Sequence, residues 1–76
     1  MKLGSYKNYK GNLYQVIGLA CHTETGVSLV VYQALYGDYR LWVRPEAMFC
    51  ETIVHNNERI NRFTFINNPL KIAATI

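Results

Sequence analysis

Apolar residues in this chain come in short runs separated by polar, turn-forming stretches, a pattern of strands rather than of helices. Asn12 to Cys21 reads Asn-Leu-Tyr-Gln-Val-Ile-Gly-Leu-Ala-Cys, rich in β-formers and too apolar for an exposed edge. Gly18 inside that run predicts a bulge or bend. His22-Thr-Glu-Thr-Gly26 gives a turn, with Gly26 suited to positive φ. Val27 to Tyr36 is a second long strand, and the two should form a hairpin. After the Gly37-Asp38 turn, Leu41 to Arg44 is a short strand, kept extended at its end because Arg44 precedes Pro45. Pro45 to Phe49 fits one helical turn, with Pro at its first position and Glu46 near the positive end of the dipole. Met48 and Phe49 could then plug the end of a barrel. Glu51 to His55 and Ile60 to Ile66 read as the last two strands, joined by Asn56-Asn57-Glu58. The expected fold is mainly all-β: a small five-stranded SH3-like barrel over residues 1–66 with one short helical turn. An α+β arrangement is the alternative. Residues 67–76 form a C-terminal tail, apolar enough from Leu70 to Ile76 to dock, for example on a second copy in a homo-oligomer.

Length and composition narrow the picture. A chain of 76 residues has room for one core and buries only about 60% of the surface it exposes when unfolded. Half of its residues are hydrophobic, which argues against disorder. Six Tyr, three Phe and one Trp are more rings than such a core needs, and surplus rings make binding platforms. A net charge of +3 permits anionic partners without demanding them. Met1-Lys2 imitates the start of a secretory signal, but Tyr6 to Asn12 is polar where an apolar run should continue. No stretch reaches the roughly 20 apolar residues of a membrane helix, so no membrane partner is expected. Cys21 and Cys50 do not make a disulfide framework. A reduced, cytoplasmic protein is the expectation.

The fragments Tyr9-Lys-Gly-Asn-Leu-Tyr-Gln-Val16, Ala20-Cys-His-Thr-Glu-Thr25, Val30-Val-Tyr-Gln-Ala-Leu-Tyr-Gly37 and Leu41-Trp-Val-Arg-Pro45, followed by Met48-Phe49, run in order through the chain. Together they resemble the bacterial domain-of-unknown-function family 1653, a family of small stand-alone proteins, from about Tyr6 to Ile66. That family carries no assigned reaction, so the resemblance implies none. Against the family pattern Cys21 stands where a basic residue is frequent and Val27 where an acidic one is. Both departures weaken a charge-based mechanism at the first hairpin.

Four groups of residues carry candidate chemistry. His22-Thr23-Glu24 pairs an imidazole with a carboxylate, which suits general-base work in a small hydrolase-like enzyme. The plainer alternative is a hairpin turn in which these side chains bond to nearby backbone. Alternation puts Trp42 and Arg44 on one strand face, where a guanidinium beside an indole can bind an anionic or planar ligand. The alternative there is Arg44 fixed against Glu46 or Glu51 with Trp42 in the core. Tyr32 and Tyr36 share a face, and with Tyr14 across the hairpin they could line a cleft or simply pack as a cross-strand ladder. Finally, Arg59 to Phe65 interleaves basic and aromatic residues, as single-strand nucleic-acid surfaces do, with Arg59, Arg62 and Phe63 in the contact roles. An edge hairpin whose Arg residues resist pairing accounts for the same pattern.

Cys21 and His22 are adjacent and point to opposite faces, and Cys50 and His55 lack zinc spacing, so neither metal nor cofactor is expected. The leading expectation is a binding module rather than an enzyme. It would hold a small anionic ligand or a peptide in a cleft of Trp42, Arg44, His22, Glu24 and Tyr36. Nucleic-acid binding through Arg59–Phe65 and hydrolysis through His22 and Glu24 are the alternatives.

Overall fold

Antiparallel pairing organises residues 1–67, the part of the chain that the computed structural model describes. Strands β1 (Gly4–Asn8), β2 (Leu13–Cys21), β3 (Ser28–Ala34) and β4 (Leu41–Pro45) lead into the single turn α1 (Glu46–Phe49). Strands β5 (Thr52–His55), β6 (Glu58–Asn61) and β7 (Phe63–Asn67) follow. Five strands form one sheet in the order β4-β3-β2-β1-β7, while β5 and β6 pair as a separate hairpin. The expected β2–β3 hairpin forms from Tyr14↔Ala34 to Cys21↔Ser28. Its register shifts between Val16 and Gly18, leaving Ile17 as the extra residue of a bulge beside the glycine that signalled it. Asn56 and Asn57 both take positive φ, 52° and 65°, as a two-residue hairpin turn of the primed type requires between His55 and Glu58.

The structure corrects the expected strand list in two places. The polar segment before Asn12 contains β1, which pairs with β2 on one side and β7 on the other and buries Ser5 and Tyr6. The run from Ile60 to Ile66 is not one strand. It breaks at Arg62, where the chain leaves the hairpin and joins the main sheet, so β6 and β7 belong to different sheets. The Arg62 N–H donates to the Glu51 carbonyl at 3.2 Å, and the Arg62 carbonyl accepts from the Tyr9 N–H at 3.0 Å. Main-chain bonds on both sides of Arg62 therefore make the crossing.

The expected closed barrel is absent as well: β4 and β7 are the two edges of the sheet and do not pair. The sheet nevertheless curls. Its edges would lie about 19 Å apart if it were flat, yet the Arg44 guanidinium on β4 sits 5.9 Å from the ring centre of Phe63 on β7. The concave face holds the core, made of Tyr6, Tyr14, Val16, Val30, Tyr32, Ala34 and Phe49, with Phe63 and Phe65 packed against it. Phe49 and Phe63 stack at 4.0 Å with their planes 3° apart, and Tyr6 and Tyr32 meet Phe49 edge-on at 5.4 and 5.3 Å. Of the two residues expected to plug the core, Phe49 does so and Met48 is exposed. Pro45 caps the helical turn instead of starting it; its φ of −52° and ψ of 136° keep it in the strand. The tail expected to dock on a second copy lies outside the described residues, apart from Asn67 at the end of β7.

Candidate functional site

Residue pairing decides which side chains reach the concave face at its β4 edge. Trp42 lies opposite Tyr32, and Arg44 opposite Val30, so both share the core-facing side of the sheet. Beyond the edge strand there is no further layer among the described residues, and Trp42 stays 46% exposed. Two adjoining hollows open at this edge, and the second reaches across the seam to Phe63 on β7. One, of about 190 Å³, is walled by Tyr14, Tyr32, Tyr36, Trp42 and Arg44. The other, of about 180 Å³, shares Tyr14, Tyr32 and Arg44 and adds Asn8, Tyr9, Lys10, Arg62 and Phe63. Trp42, Arg44 and Tyr36 thus line one hollow.

Local sequence holds each wall in place. The Asn8 side-chain Oδ1 accepts from the backbone N–H of Lys10 at 3.0 Å and of Asn12 at 2.9 Å. This Asx-type closure, with Gly11 at φ 96°, presents Tyr9 and Lys10 to the second hollow. Arg62 donates from Nε and Nη2 to Glu51 Oε1 at 3.1 and 2.8 Å, so its direction is set as well. Arg44 has no carboxylate within 4.0 Å among the described residues. Both proposed anchors are taken: Glu51 holds Arg62, and Glu46 lies 4.0 Å from the N-terminal ammonium. No acidic side chain lines either hollow.

The Tyr14 and Tyr36 hydroxyls share a 2.6 Å hydrogen bond, which leaves one hydrogen of the pair free to donate elsewhere. Burial first, then that bond and the neighbouring Tyr36 and Tyr32, push the Tyr14 phenol up to about 12, while Arg44 pulls the other way. Burial, with a smaller effect of Cys50, also raises Tyr6. The ordinary phenol value is 10.0, so between there and about 12 the unfolded chain has lost a proton that folded Tyr14 retains. Stability should therefore be insensitive to Tyr14 below the lower value and fall as pH rises through the interval. Urea unfolding of wild type and Tyr14→Phe at about pH 9 and about pH 11 checks this, since the wild type should lose more over that span. Equal losses would mean that Tyr14 titrates alike in both states.

Not all of the remaining candidates reach the cleft. His22 and Glu24 are exposed at the tip of the β2–β3 hairpin and line neither hollow. His22 Nδ1 accepts from the backbone N–H of Glu24 and of Thr25 at 3.2 and 3.3 Å, so the imidazole is a turn-forming group. The basic-aromatic run is divided in the same way. Phe63 stacks on Phe49, Arg62 is held by Glu51, and exposed Arg59 donates to Thr52 Oγ1 at 3.1 Å. Arg62 and Phe63 line the second hollow, and Arg59 does not. Sequence reasoning missed Asn8, Tyr9 and Lys10 as cleft residues. The polar Tyr9-Lys10-Gly11 turn signalled a loop, but only the pairing of β1 with β7 brings that loop to the seam.

A family model, described as a protein of unknown function (DUF1653), matches residues 4–65. The fold is similar to the crystal structure of a DUF1653 protein from Bordetella bronchiseptica, with a TM-score of 0.83 and 30% identity over 90% of each chain. No curated relative matches the chain.

Proposed function

The chain belongs to the DUF1653 family, and from that premise we propose that it is a binding module whose seam cleft takes a small anionic ligand. One observation carries the reading: Lys10, Arg44 and Arg62 converge on a cleft without a carboxylate in its lining, and Arg44 is unpaired among the described residues. A half-buried guanidinium without a counter-charge is costly unless an anion completes it. Arg44 can grip a carboxylate or phosphate through two parallel hydrogen bonds. The Tyr14–Tyr36 pair and the Trp42 indole add donors nearby. The SH3-like reading of the fold goes with this proposal, because a curled sheet with an open seam supplies the concave site.

The test uses inorganic phosphate and benzoate as probes, followed by ¹H–¹⁵N correlation spectra of the labelled protein. Saturable shifts are expected in the millimolar range at the Arg44 Nε–H, the Trp42 indole N–H and the Tyr9 to Gly11 amides. Shifts confined to the β5–β6 hairpin around Arg59, or none that saturate, would refute the assignment of the cleft.

A further inference from the structure

The two hollows differ in chemistry, and the difference names a ligand class. The larger is aromatic, with Trp42, Tyr36, Tyr14 and Tyr32 around one cation. The smaller gathers Lys10, Arg44 and Arg62, of which Glu51 offsets one charge. Arg44 belongs to both, so a ligand filling the pair passes across it. At about 190 and 180 Å³ each hollow lies below the roughly 300 Å³ at which small-molecule pockets begin, so an occupant of that size needs both.

Resting on the anion reading above, we infer that the occupant is a nucleoside monophosphate. Its base lies in the aromatic hollow against Trp42, and its phosphate lies among Lys10, Arg44 and Arg62. A phosphate monoester carries about −1.5 to −2 at neutral pH, which matches the net charge of two left on those cations better than a carboxylate does. A base suits the other hollow because every base offers a π-face to stack and acceptors for the free Tyr hydroxyl and the indole N–H. The same chemistry occurs as one unit of a nucleic-acid strand. There the phosphate is a singly charged diester, a poorer match, so the free monophosphate is the assignment.

Calorimetric titration with inorganic phosphate, uridine, UMP, AMP and a short oligothymidylate tests this. UMP or AMP should bind about tenfold or more tighter than phosphate, as one stacked base contributes. Uridine alone should bind more weakly than either nucleotide. Trp42→Leu should bring the nucleotide-to-phosphate affinity ratio close to one. Phosphate binding at Arg44 without a gain from the base would overturn the nucleotide and leave the anion reading standing. Binding of neither phosphate nor nucleotide would remove both. An oligothymidylate that binds tighter than both mononucleotides would overturn the free-nucleotide source.

Discussion

Replacing Phe49 by Ala should lower the melting temperature by about 15 °C or more, through loss of a ring worth about 3–5 kcal/mol in a core. The estimate follows from where the ring sits. Phe49 is 1% exposed, stacks on Phe63, and receives the edges of Tyr6 and Tyr32. Removing it opens the concave face at the point where strands β1, β3 and β7 converge. A domain of this size has a total stability of only roughly 4–11 kcal/mol, so the change consumes much of the reserve. Phe49→Leu, which keeps most of the volume, should cost less than about 1.5 kcal/mol. Calorimetry and near-ultraviolet circular dichroism read both variants. A drop below about 5 °C in Phe49→Ala would mean that the aromatic stack is not what closes the core.

Arg44→Lys should leave melting within about 2 °C of wild type and weaken phosphate binding about tenfold. The contrast depends on the absence of a structural partner. Glu46 and Glu51 are engaged elsewhere, and the described contact of the guanidinium is a 5.9 Å approach to the Phe63 ring. Lys keeps the charge and loses the planar fork, so the second of two parallel hydrogen bonds to an oxyanion goes with it. Arg44→Glu should abolish binding, since it sets a carboxylate against the anion. A melting point lowered by more than about 6 °C in Arg44→Lys would move Arg44 into the scaffold.

Much of the fold was legible because apolar runs, glycines and the Arg44-Pro45 pair act locally. They located β2, β3 and β4, and placed the helical turn within one residue. β1 was not legible: Gly-Ser-Tyr-Lys-Asn carries one ring among polar residues, and its strand state depends on partners on both sides. The split at Arg62 was hidden for the complementary reason. Ile60, Phe63, Thr64, Phe65 and Ile66 all favour strands, and the break depends on main-chain bonds to Glu51 and Tyr9, distant in sequence. The Trp42–Arg44 half of the cleft followed from strand alternation, whereas Lys10 required knowledge of which loop meets the seam. His22-Thr-Glu was ambiguous because the residues that suit a general base also suit a tight turn.

The unpaired seam has a mechanical consequence. Walls contributed by β4 and by β7 with its flanking Arg62 are joined the long way round through three intervening strands, and by a short route through α1 and Glu51, which bonds Arg62. Spreading them breaks no ladder across the gap but works against the Glu51–Arg62 bonds and the Phe49–Phe63 stack. Sliding one wall along the strand direction would instead shear four ladders at once. The cleft is therefore stiff along the strands and pinned across them at Glu51, so its width is governed by that tether and by side-chain packing rather than by a ladder.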